Sequence, residues 1–267
     1  MDIILPISVA LAVFLAINIG ANNSAASMAT AYGAGVRSKR EATIIIAIFA
    51  LLGAVIAGAP VVNTLGKGLV PSEILSSHVG LVFIIFLIAI IFITWANVSR
   101  VPVATTHAIV CAIVGVGLYA KSLQVEKFLE IAVWWLVTPV VALVINYLVA
   151  KYLYFRTLRY LTDNYNEAVI NRILTVLITI SGVFVAFSAG ANNSANAVGP
   201  IVGLGLINSY TGAIIAGVAM GVGALLFGGR VLESVGKEIT EICILRAVSV
   251  EFTGAAIILA ASFSGIA

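Results

Sequence analysis

Gly-Ala-Asn-Asn-Ser-Ala occurs twice in this chain, at residues 20–25 and again at 190–195. Asparagine amides offer hydrogen-bond donors and acceptors, and glycine and asparagine tolerate non-helical dihedrals. Each block lies within an apolar run too long for one straight crossing of a bilayer. Taken as one helix, residues 3–33 would be roughly 46 Å long against a hydrocarbon core of about 30 Å. The pattern therefore predicts two broken helices. A break exposes N–H groups that attract anions and carbonyls that attract cations, and unwound backbone at that depth must be buried or line a wet cavity. The simpler alternative is a kink with close Gly/Ala packing.

A second candidate is Pro102-Val103-Ala104-Thr105-Thr106-His107. Proline disfavours helix just before it, and Thr105 is placed to cap a helix starting at Thr106. Two hydroxyls and free N–H groups would then converge, which suits a tetrahedral oxyanion without a fixed positive charge. His107 could donate a hydrogen bond or carry a proton; its unperturbed pKa lies near neutrality. The alternative is a capped helix start with a satisfied buried histidine. Glu251 lies in the apolar run 247–261. A carboxylate within a membrane span is costly to bury and marks a functional candidate.

The elements that must hold these residues follow from composition. Of 267 residues, 62% are hydrophobic and only 9% charged. Too little polar surface is available to coat a soluble globule, and coiled coil, collagen and disorder are likewise excluded. The expectation is an all-α, polytopic helical membrane protein of about eight spans: 3–33, 42–60, 79–98, 102–119, 129–150, 172–206, 211–229 and 247–265. The acidic start reads as a retained first span rather than a cleaved signal peptide. Cys111 and Cys243 are too far apart in sequence to suggest a disulfide framework or a metal spacing.

With the N-terminus outside, eight spans place eleven of the fourteen Lys and Arg on the cytoplasmic side, leaving Lys67, Lys121 and Lys127 outside. That division follows the positive-inside rule. It supports 102–119 as a crossing and residues 151–171 as a cytoplasmic basic loop between a first repeat, 1–150, and a second, 172–267. The repeat is visible directly. Residues 20–67 align without a gap on 190–237, with 16 identities in 48 positions. Ser38 with Glu41 reads as a capping box, and Asn208 occupies the equivalent cap. Five spans between the copies invert the second one, an architecture recurrent among secondary transporters.

These motifs resemble the PiT family of inorganic phosphate transporters, including its sulfate-permease branch of the CysP type. That family carries two Gly-Ala-Asn-Asp-x-Ala-Asn-Ala segments, each followed by Pro-Val-Ser-Thr-Thr-His. The resemblance covers nearly the whole chain. It implies substrate binding by Thr105, Thr106, His107, Asn22, Ser24, Asn192 and Ser194, and coupling-ion sites at Asn23 and Asn193. Glu251, from its place in the apolar run, joins these as a coupling-ion candidate, with His107 preferred over it as the titrating group. Two departures matter. The family aspartate is asparagine at Asn23 and Asn193, which leaves only amide oxygen for sodium and moves the expectation toward proton coupling. The second Pro-Val-Ser-Thr-Thr-His is missing, so the second repeat reads as truncated.

The expected function is a secondary-active permease of the cell membrane, symporting an inorganic tetrahedral oxyanion with H+ or Na+. Phosphate ranks first and sulfate second, with a passive anion channel as the reading from another class. The usual acid and metal clusters of a membrane enzyme are missing, so an enzyme is not expected, nor is a cofactor. The partners are the anion, the coupling ion, the lipid bilayer and, in a homodimer, a second copy; nucleic acid is not among them.

Overall fold

In the computed structural model, residues 3–238 and 243–266 are described. The helices are α1 (Ile4–Gly33), α2 (Lys39–Ala57), α3 (Ala59–Lys67), α4 (Ser72–Ser77), α5 (Val79–Val98), α6 (Thr105–Tyr119) and α7 (Val125–Val149). They continue as α8 (Phe155–Asn164), α9 (Glu167–Gly203), α10 (Ser209–Gly223), α11 (Gly229–Glu238) and α12 (Ile244–Phe263). Short π segments, Ala150–Tyr154 and Ala224–Gly228, join α7 to α8 and α10 to α11. Among the described residues, seven helices are long and apolar enough to cross a membrane. The expected span 102–119 is α6, whose fifteen residues reach only about 22 Å.

The expected breaks are not there. Residues 20–23 and 190–193 lie inside the continuous helices α1 and α9, of 30 and 37 residues. Local hydrogen bonds explain this: Ser24 Oγ donates to Gly20 O, Ser27 Oγ to Asn23 O, Asn193 Nδ2 to Ala189 O and Ser194 Oγ to Ala191 O. Their polar groups are satisfied on the helix itself, so nothing forces it open. The excess length of α9 is its polar start, Glu167 to Arg172, where Asn166 caps by accepting from Val169 N at 3.0 Å. Irregularity lies instead in the second helix of each repeat. Gly58 separates α2 from α3, and its equivalent, Gly228, ends the π segment before α11.

The glycines serve close approach. A β-carbon at Gly20 would collide with the carbonyl of Met220; at Gly190, 170 residues on, it would collide with that of Ala50. Since Met220 is 170 residues after Ala50, the two contacts are one contact with the copies exchanged. Gly53 against Phe187 O is matched by Gly223 against Ile17 O, and Gly58 against Ser194 Oγ by Gly228 against Ser24 Oγ. Reciprocal exchange of this kind is the signature of a two-fold relation. The close-packing alternative therefore holds for both blocks.

Sequence caps appear as expected: Ser38 Oγ accepts from Glu41 N at 3.3 Å while Ser38 N donates to Glu41 Oε2 at 2.8 Å, and Asn208 Oδ1 accepts from Thr211 N at 2.8 Å. The expected loop 151–171 is mostly helical, because the π segment and α8 prolong α7 and α9 starts at Glu167. Charge alternating with Leu and Tyr along α8 makes an amphipathic helix in place of the loop. The two repeats pack on one another, with α9 lying against α1, α2 and α3. Helices α5 and α6 form a hairpin that returns to its starting end, where Gln124 N donates to Leu69 O at 2.9 Å. The hairpin contributes no net change of side, so the basic residues after it keep their face however deep it reaches.

Candidate functional site

The hairpin delivers the Thr-Thr pair to the second block. Ala104, not Thr105, is the N-cap of α6. Thr105 is the first helical residue, and this frees its hydroxyl to donate to Asn193 Oδ1 at 3.0 Å, with Thr106 Oγ1 at 3.5 Å from the same oxygen. Asn196, one turn beyond on α9, donates from Nδ2 to Asn193 Oδ1 at 2.8 Å and to Thr106 Oγ1 at 3.0 Å. Its other atom, Oδ1, is buried and has no hydrogen-bond partner among the described residues. The amide orientation is fixed by the short contact to Asn193 Oδ1, which requires a donor. First-turn N–H groups of α6 have no intrahelical partner, so they add donors beside the hydroxyls.

This cluster of Thr105, Thr106, Asn193 and Asn196 is neutral. Thr105 is 3% exposed and Asn196 fully buried. Sequence reasoning misses Asn196 as a site residue. Its signal lies in the internal alignment, where position 26 is Ala and position 196 is Asn, the one amide that the second block adds.

Asn22 and Asn192 have a different task, and the same one. Asn22 Nδ2 donates to Asn97 Oδ1 at 2.9 Å and to Val101 O at 3.2 Å, while its Oδ1 accepts from Val103 N at 3.0 Å. Asn192 Nδ2 donates to Ser262 Oγ at 3.3 Å and to Ile266 O at 3.2 Å. Helices α5 and α12 end alike: Val101 N bonds to Ala96 O and Ile266 N to Ala261 O, with Arg100 and Gly265 at positive φ. The repeat thus extends to α5 and α12, at an offset of 165 that the gap-free alignment could not register. Both asparagines tether the ends of these helices.

Ser24 and Ser194 are fully buried, bonded to their own helices and packed on Gly228 and Gly58. The structure does not bring them to the cluster. Asn23 lines a narrow cleft with Gly20, Ser27, Ala50, Gly190 and Met220, and no hydrogen bond of its side chain is found among the described residues. His107 turns away from the threonines: its ring stacks on Trp135 with 3.9 Å between centroids, and it lines an apolar groove of about 990 Å³ between α5 and α6.

Glu251 forms a separate polar centre. It is 9% exposed, two turns into α12. Ser181 Oγ donates to its Oε2 at 2.5 Å and Thr30 Oγ1 to its Oε1. Ser181 precedes Asn193 by twelve residues on α9, about 18 Å along the helix. Among the described residues no group of three or more His, Cys, Asp or Glu could hold a metal ion.

A model of the phosphate transporter family matches residues 19–267. The chain belongs to this family. Sulfate permease CysP of Bacillus subtilis (strain 168) is 37% identical over 254 residues, covering 95% of this chain and 70% of that protein. A solved structure, the sodium-dependent phosphate transporter, superposes with a TM-score of 0.88 at 26% identity, covering all of this chain and 86% of the other. As a phosphate transporter family member with seven long apolar helices, the chain is a multi-pass membrane protein.

Proposed function

We propose that this chain is a secondary-active permease for an inorganic tetrahedral oxyanion, phosphate first, bound between α6 and the second Asn-rich block. The observation that carries the choice is the Asn196 acceptor, buried without a donor beside two hydroxyls. Phosphate keeps a proton at neutral pH and can donate it to that oxygen. Sulfate has none to give, so it ranks second, supported by the likeness to sulfate permease CysP.

Coupling runs through H+ or Na+. Glu251 is the proton carrier this reading prefers; the sequence favours His107, but that ring lies in an apolar groove against Trp135. Asn23 and Asn193 offer sodium only amide oxygens. The N-terminus lies outside, the two copies enter the membrane from opposite faces, and the basic residues mark the cytoplasmic side.

Uptake of radiolabelled phosphate and sulfate into proteoliposomes, under separately imposed pH and sodium gradients, tests the reading. The expected result is phosphate accumulation that follows the pH gradient more than the sodium gradient. Asn23→Asp with Asn193→Asp should raise the sodium dependence. Equal flux without any gradient would replace the symporter by a passive facilitator.

A further inference from the structure

Away from the site, the start of α2 and the junction of α10 with α11 enclose a cleft of about 390 Å³ lined by Lys39, Arg40, Thr43, Leu225, Leu226 and Arg230. Gly229 makes room for the stem of Lys39, whose ammonium reaches Glu233 at 2.7 Å. That pair uses the nearby carboxylate. Among the described residues no ion pair of Arg40 or Arg230 is formed, and both are exposed. Below these cations the wall is bare hydrocarbon. Leu225 and Leu226 are 49% and 67% exposed, and Phe227, Ile44 and Ile48 continue the apolar surface along the spanning helices.

One ligand meets both halves. A free inorganic anion would engage the arginines and leave the leucines uncovered, while a zwitterionic lipid brings no net charge to two unpaired guanidiniums. We propose that this cleft is a binding site for an anionic phospholipid, with the phosphodiester on Arg40 and Arg230 and an acyl chain along Leu225 and Leu226. Arginine suits phosphate because its fork donates two parallel hydrogen bonds. The cleft shares its face with Arg37 and Lys39, the face that the positive-inside rule gives to the cytoplasmic, anion-rich leaflet.

The test uses the full chain in neutral detergent with saturating inorganic phosphate, so that free-anion sites are already filled. Dioctanoyl phosphatidylglycerol should raise the melting temperature saturably, and dioctanoyl phosphatidylcholine should not. Arg40→Gln with Arg230→Gln should weaken the apparent affinity about thirtyfold, near the contribution of two surface cations. Arg156→Gln with Arg159→Gln, on α8, should leave it unchanged. Native mass spectrometry of Arg230→Gln alone, counting bound phosphatidylglycerol, should show about a fivefold weakening, the share of one cation, without a melting curve. An undiminished shift in the double variant, an equal shift with phosphatidylcholine, or loss of the shift in saturating phosphate would each overturn the proposal.

Discussion

The two Asn-rich blocks are identical over six residues, yet they stand in different surroundings. At the second, Asn193 accepts from Thr105, Thr106 and Asn196 and is closed over by the tip of a hairpin. At the first, Asn23 faces a narrow cleft, with no hydrogen bond of its side chain among the described residues. Helix geometry, the glycine contacts and the tethering by Asn22 and Asn192 are shared; what differs is the presence of α6. A block of this kind is a socket, and in the proposed function it becomes a binding site when a hydroxyl-bearing helix start is brought to it.

The most severe way to break that contrast is to remove the hydroxyls. Thr105→Val with Thr106→Val keeps the shape and deletes two donors to a charged ligand, each contributing about 1.5–3 kcal/mol. Phosphate uptake should fall a hundredfold or more in a protein that still runs as a folded species in size exclusion. Unchanged affinity would place the anion elsewhere.

Next in size are the features the copies share. Gly20→Ala and Gly190→Ala each drive a methyl group into a backbone carbonyl, of Met220 and Ala50. Each should destabilise by about 2–3 kcal/mol, the upper part of the range for overpacking. Melting in detergent should show both equally affected, since the contacts are exchanged copies of one another. A tolerant Gly20 beside an intolerant Gly190 would show that the two-fold relation does not carry the packing.

Asn196→Ala sharpens the contrast from the other side, by making the second block match Ala26 of the first. Loss of its amide removes donors to Thr106 and Asn193, at about 1–2 kcal/mol. If the unpaired Oδ1 selects a protonated anion, the variant should lose phosphate preference over sulfate, read as the ratio of the two uptake rates.

How much of this is legible in the sequence differs by scale. Apolar run lengths, the duplication and the caps at Ser38 and Asn208 are local or periodic properties, and they can be read directly. Pairing of Thr105 with Asn193 spans 88 residues, so sequence nominates both ends but does not join them. Gly-Ala-Asn-Asn reads falsely as a break because glycine carries two meanings, conformational freedom and absence of bulk, and only the neighbour across the interface tells which applies. Asn22 and Asn192 are legible as polar groups at depth; their backbone partners at Val101 and Ile266 carry no side-chain signature at all.

The smallest expected effect concerns the caps. Ser38→Ala and Asn208→Ala should each cost about 1 kcal/mol, equally in the two copies, by the same melting assay.

The exchanged glycine contacts have a consequence for how the chain is made. Every one of them joins a residue of the first copy to a residue of the second, with Gly20 and Met220 two hundred positions apart. While α1 and α2 emerge from the ribosome, the surfaces they will seal against have yet to be synthesised. At roughly 5–20 residues per second the wait is about 10–40 s. During that interval the small-residue faces of α1 and α2 are covered by lipid alone, or by whatever chaperone attends the insertion machinery. Assembly is then a late, nearly simultaneous closure of one half upon the other, and a ribosome that stalls before residue 190 leaves an orphan half without its mate.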